Sequence, residues 1–267
     1  MKDIRTLLDD ALSRINVPGF VDDDPVQFPR RFTDCRDIEI ATMLCSTIAW
    51  GNRKMILRDC NRLLTMMGDA PYDYIRSGDY ETVDDALNIH RTFFSRNLKY
   101  YLRGLAYIYD KFGSLEAYAA ARHIDKSALP AWELAAALSE AFSTANQGAT
   151  DSRCISASVT TPLKRLNMAL RWLVRDDGIV DMGLWKVLTP AQLYIPLDVH
   201  VADVSRALGL LNRRSNDRKA VEMLTAQLRQ WRPDDPTAYD FALFGIGIEM
   251  SRADSADKSE PTEKSMR

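Results

Sequence analysis

Between Leu163 and Arg175 the chain carries four cationic side chains and no acid: Lys164, Arg165, Arg171 and Arg175. With Met168, the residues Lys164, Arg171 and Arg175 recur at helical spacing, opposite an apolar face of Leu166, Ala169, Leu170, Leu173 and Val174. An uncompensated cationic ridge of this kind suits phosphate groups, whose contacts set register on a nucleic acid. A plain solvated helix face has the same pattern. Further on, Pro196-Leu-Asp-Val-His200 places Asp198 behind a stiffening proline, where its side chain is a natural cap for the next helix. A capping aspartate is rigid and ionised, as a catalytic carboxylate must be, and the cap alone would also explain it. His200 reads either as a partner of that turn or as a packed or solvent-facing histidine. Trp50 and Asn52 lie in Trp50-Gly51-Asn52-Arg53 between two helical stretches. There an aromatic or amide side chain can wedge between or stack on bases, or fold back onto the core.

Helices must position these groups. Apolar stripes at i, i+3, i+4 and i+7 predict helices over 3–15, from Asp37 to Trp50, up to Met67, over 93–112, 115–121, 131–142, 163–175, 198–210, 219–231 and 237–250. Asp37 to Met67 reads as a helical hairpin turning at Gly51. Residues 17–32 and 69–90 read as irregular, and 143–161 as a small, polar loop. No long segment alternates with period two, so strands are few or absent. The expected fold is mainly α: one helical domain over 1–251, either one body or two lobes flanking a cleft, with a disordered tail at 252–267.

Composition narrows the class. The 267 residues are 46% hydrophobic and 27% charged, with net charge −2, so no polyanion partner is advertised overall. Cys35, Cys45, Cys60 and Cys154 are widely spaced and make no CxxC pair, which argues against a cysteine-built zinc or iron–sulfur site. No metal or cofactor is expected. The charged N-terminus is not a signal peptide, and no apolar run approaches the ~20 residues of a membrane span. The expectation is a cytoplasmic protein with no membrane partner. Gly245-Ile-Gly247 lacks the preceding strand and spacing of a phosphate loop and reads as close helix packing.

Asp37-Ile-Glu-Ile-Ala41, Ala49-Trp-Gly-Asn-Arg-Lys54, the 164–175 segment, Ile195-Pro-Leu-Asp-Val-His200 and Tyr239-Asp-Phe-Ala-Leu-Phe-Gly-Ile-Gly247 together resemble the DUF2400 family of bacterial and archaeal proteins. The resemblance covers nearly the whole chain except the tail. A more distant one is to the helix-hairpin-helix DNA glycosylases, which include the 8-oxoguanine glycosylases and endonuclease III. Those folds are all-helical, with a lysine at the start of a helix and an aspartate in a Pro-Val-Asp-x-His-type turn. The resemblance implies a base-excision glycosylase/lyase acting on damaged duplex DNA, with Lys164 as Schiff-base nucleophile and Asp198 as acid/base. Arg165, Arg171, Arg175 and His200 would contact the nucleic acid, and Trp50 or Asn52 would be the wedge. The chain departs from the pattern in three ways. No glycine precedes Lys164, Pro162 removes a backbone donor, and Lys164 and Asp198 stand 34 apart (198 − 164). A non-catalytic DNA- or RNA-binding protein of the same fold is the alternative. A helical interaction scaffold is a third reading, under which the cations of 164–175 would pair with acids. Phe93, Trp172 and Tyr239 are aromatic candidates for a base pocket.

Overall fold

Helix α1 (Ile4–Ile15) opens the chain and packs along α11 (Tyr239–Asp257), so the two ends of the fold meet. The computed structural model describes residues 3–257, with side chains to Ser251. After α1, three short 3₁₀ turns, Pro18–Asp23, Pro25–Gln27 and Pro29–Arg31, occupy the segment expected to be irregular. Each has proline at its start, where the missing N–H costs nothing. Phe28 is buried, and Phe20 and Phe32 pack against the core.

Helix α2 (Cys35–Thr47) is capped by Asp34, whose carboxylate accepts from Arg36 N at 2.8 Å. Asp37 lies within its first turn and accepts from Tyr72 N at 2.8 Å, at the start of α4. A turn through Trp50 and Gly51 leads into α3 (Arg53–Met66), giving the expected helical hairpin. The next segment is more ordered than its turn residues suggested. It forms α4 (Pro71–Ser77), a 3₁₀ turn, and strands β1 (Asn88–His90) and β2 (Phe93–Phe94), which pair antiparallel. Strands of three and two residues are too short to show alternation.

Helix α5 (Ser95–Phe112) ends at Gly113, which takes the left-handed conformation at φ 80°. It crosses α7 (Pro130–Ala145) at Gly104, whose Cα lies against the Phe142 ring. Between them, α6 (Leu115–Ala121) is held by buried Glu39, which accepts from Leu115 N at 2.9 Å and Glu116 N at 3.0 Å. The same carboxylate accepts from Tyr109 Oη and Trp185 Nε1, both at 2.8 Å. The 146–163 loop is pinned: Trp132 Nε1 donates to Thr161 O at 2.8 Å, and buried Cys154 Sγ donates to Asn97 O at 3.2 Å.

Helix α8 (Lys164–Val174) packs on α2. The irregular 176–196 stretch runs back over the end of α8, where Trp185 N donates to Leu173 O at 2.7 Å. Helix α9 (Val199–Ala207) packs on α11, and α10 (Arg218–Arg229) follows it. The tail departs from expectation at its start: α11 continues to Asp257, through residues 252–257. The remainder, 258–267, lies outside the described residues. Among the described residues the fold is mainly α, and no helix is long and apolar enough to cross a membrane.

Candidate active site

Two helix N-termini converge on one cleft. Lys164 is the first residue of α8 and Asp198 caps α9. Asp198 Oδ1 accepts from Val201 N at 2.8 Å. Its other oxygen, Oδ2, lies 3.2 Å from Lys164 Nζ, and both side chains remain about one-third exposed. The cap fixes the rotamer of the carboxylate. A primary amine thus sits beside a fixed base, within reach of solvent and of any ligand that enters. The approach to Lys164 is strained: Leu163 takes the left-handed conformation at φ 49°, one that favours glycine and costs a branched side chain on the order of 1 kcal/mol. The chain therefore adopts a glycine-type turn there without a glycine.

The cleft holds about 190 Å³. One wall is aromatic, with Phe20 edge-on to Phe241 at 5.0 Å and to Phe244 at 5.8 Å between ring centroids. Asp24 and Asp240 also line it, with Arg53 near the rim over the Phe244 ring at 5.0 Å. Asp240 is buried against Arg171, and desolvation pushes its carboxyl up to about 6 despite that guanidinium. Loss of water likewise raises Asp24, whose carboxylate accepts from Val26 N at 3.0 Å.

Arg171 and Arg175 do not form a solvent-facing ridge. They are 4% and 5% exposed. Arg171 pairs with Asp240 and, at 3.2 Å, with Asp181, and its guanidinium lies over the Phe241 ring. Arg175 pairs with Asp177 at 2.6 Å and with Asp181 and Asp235 at 2.8 Å. The acids that neutralise them lie outside the 163–175 segment, so the segment alone shows unopposed cations. Phe93, Trp172 and Tyr239 are likewise core residues, at most 1% exposed. The aromatic wall is made by Phe20, Phe241 and Phe244 instead.

The remaining candidates surround the cleft. His200 is exposed and lines a shallow groove with Asp198, Arg53 and Phe244. Asn52 is exposed and caps α3, accepting from Met55 N at 3.3 Å. Trp50 is half-buried, edge-on to His90 with ring centroids 4.6 Å apart. Its carbonyl accepts from His90 Nε2 at 2.8 Å, while His90 Nδ1 meets buried Asp59 at 2.7 Å. The hairpin turn is thus held from below by a buried Asp–His pair. Trp50, Arg165 and Lys164 line a second hollow, of about 280 Å³. Lys164 and Ala49 border both hollows. Among the described residues no three His, Cys, Asp or Glu side chains gather as a metal site.

Sequence reasoning missed Asp24, Arg53, Asp240, Phe241 and Phe244. One signal was present: Asp240 and Phe244 stand one helical turn apart, and Asp240 is an acid directly ahead of the apolar run 241–248.

The family model for a protein of unknown function, DUF2400, matches residues 24–249, well over half of the chain. The chain belongs to the DUF2400 family. The matched stretch contains both hollows apart from Phe20 in the aromatic wall. No curated protein and no solved structure matches the chain.

Proposed function

We propose that this DUF2400 protein is a DNA base-excision glycosylase/lyase, with Lys164 as nucleophile and Asp198 as its acid/base partner. The observation that carries this reading is the 3.2 Å approach of Lys164 Nζ to Asp198 Oδ2 at the mouth of a cleft walled by aromatic rings. A damaged nucleotide would leave the duplex for the cleft, at an unstacking cost of about a few kcal/mol. The Nζ lone pair forms a bond to the sugar C1′ while the glycosidic bond breaks and its electron pair leaves with the base. Asp198 accepts a proton from the amine and returns one to the leaving base. Its charge also offsets positive charge developing on the sugar. Opening of the sugar ring then gives a Schiff base on Lys164, from which β-elimination can nick the strand. The resemblance to helix-hairpin-helix glycosylases supports the same assignment. Arg171 and Arg175 have no phosphate role in this reading, because their charges are spent on buried carboxylates.

Borohydride trapping tests it. The full chain, incubated with duplexes carrying 8-oxoguanine, uracil or an abasic site, should give a covalent adduct on at least one of them. Lys164→Gln should abolish the adduct and keep DNA affinity within a few-fold. A second reading, a non-catalytic nucleic-acid-binding protein, is favoured by the absence of a hairpin glycine ahead of Lys164, where Pro162 stands instead. The pairing of Arg171 and Arg175 with carboxylates is what the interaction scaffold predicts. Salt-sensitive binding with no adduct on any duplex would select it. Absence of both adduct and binding would refute both readings and leave the interaction scaffold.

A further inference from the structure

Helix α8 and the residue that ends it carry three arginines, Arg165, Arg171 and Arg175, and the fold treats them differently. Arg171 faces two carboxylates and Arg175 three. Arg165 faces none among the described residues. Its Nη1 donates to Thr47 O at 2.7 Å and to Arg153 O at 3.3 Å, and its guanidinium lies 5.5 Å from the Trp50 ring centroid. The ionisable groups beside it are Tyr101 and Cys154, both pushed upward by burial and so uncharged at neutral pH. Burial opposes its positive charge, and among the described residues no built-in anion answers it. Nε and Nη2 carry further donors that no acceptor among the described residues engages.

The arginine without a carboxylate lines the second hollow, whereas Arg171, which borders the cleft beside Lys164, is already paired with Asp240 and Asp181. The hollow of about 280 Å³ is walled by Trp50, Tyr101, Met43 and Ile155, with the hydroxyls of Ser156 and Thr161 on its loop side. One end is therefore a cation with free donors in a planar fork, the geometry that suits phosphate. The other end is aromatic and apolar, which suits a base face. We propose that this hollow is a nucleotide subsite, with a phosphate on Arg165 and the nucleoside against the half-buried Trp50 ring. The inference deepens the DNA reading above and rests on it for the source of the nucleotide. If Lys164 acts on a nucleotide in the cleft, the hollow on its other side takes the neighbouring nucleotide of the same strand. A free mononucleotide has the same chemistry.

The test measures binding of the full chain to a duplex with a tetrahydrofuran abasic analogue, and to deoxyguanosine 5′-monophosphate against deoxyguanosine. Arg165→Gln should weaken duplex binding about tenfold and reduce the slope of log K against log salt by about 1, with Arg165→Lys recovering the slope. On the unmodified protein, the Trp50 indole N–H resonance should shift on adding the monophosphate and not the nucleoside, a readout independent of how the variants fold. Unchanged affinity and slope in Arg165→Gln, while the wild type binds and traps DNA, would overturn the subsite and leave the glycosylase reading standing. If the wild type binds no duplex, the glycosylase reading fails and the monophosphate decides. Phosphate-dependent binding lost in Arg165→Gln would then support a mononucleotide site, and no binding of the monophosphate would overturn it.

Discussion

At the scale of single residues, Asp198 has two separable jobs. One oxygen caps α9 and the other faces Lys164. Asparagine caps as well as aspartate but cannot accept the amine proton. Under the proposed glycosylase reading, Asp198→Asn should therefore keep the thermal midpoint within about 2 °C and lower the single-turnover rate by about 10²–10⁴. Asp198→Ala should lose that activity and about 1 kcal/mol of stability besides. Equal stability loss in both variants would show that the carboxylate, and not the cap, stabilises the fold. Asp240 offers a pH signature. Burial raises its carboxyl from 3.8 to about 6, so the folded protein holds that proton more tightly than the unfolded chain does. The stabilisation is fully present below about pH 4 and is lost as pH rises through about 6. It amounts to on the order of 3 kcal/mol. Urea unfolding of wild type and Asp240→Asn at pH 4, 5, 6 and 7 should show wild type losing stability relative to the variant across that range. A pH-independent difference would mean that Arg171 fully compensates the charge.

At the scale of elements, most of the construction was legible. Apolar spacing located the helices that became α1–α3 and α5–α11, and the proline and glycine punctuation located the breaks between them. The 69–90 segment was not legible, because its strands are held by partners distant in sequence: His90 by Asp59 and by the Trp50 carbonyl. The packing of α5 on α7 was also silent, since one glycine decides it. A methyl group on Gly104 would come within 2.1 Å of the Phe142 ring. Alanine normally stabilises a helix interior by about 1 kcal/mol over glycine. Here Gly104→Ala should instead destabilise by about 1–3 kcal/mol, read as a lower urea midpoint with unchanged m-value. A gain in stability would show that the Phe142 ring moves aside freely.

At the scale of the whole molecule, a net charge of −2 leaves nucleic-acid binding to a local set of cations. Apart from the nucleophile Lys164, the cations lining the two hollows and not consumed by buried carboxylates are Arg165 and Arg53. Two phosphate contacts give a slope of log K against log salt of about −2 on duplex DNA. Four, with Arg171 and Arg175 engaged, would give about −3.6. Anisotropy titrations between about 50 and 200 mM salt separate the two, and the steeper value would require the buried pairs to open on binding. The closure of α1 on α11 serves the same region, since α11 supplies Asp240, Phe241 and Phe244 while the turn after α1 supplies Phe20 and Asp24.

The sequence by itself determined the helical architecture, the capping role of Asp198 and family membership. All three depend on local spacing or on motifs quoted in order along the chain. It also singled out Lys164 and Asp198 as partners, through resemblance and not through physics. Only the tertiary structure decided which charges are available. Arg171 meets Asp240 across 69 residues and Arg175 meets Asp235 across 60, while Arg165 meets no carboxylate among the described residues. A helix face read from periodicity says where a side chain points. Whether a buried carboxylate waits there depends on which distant segments pack against it, because ion pairing acts through space and not along the chain.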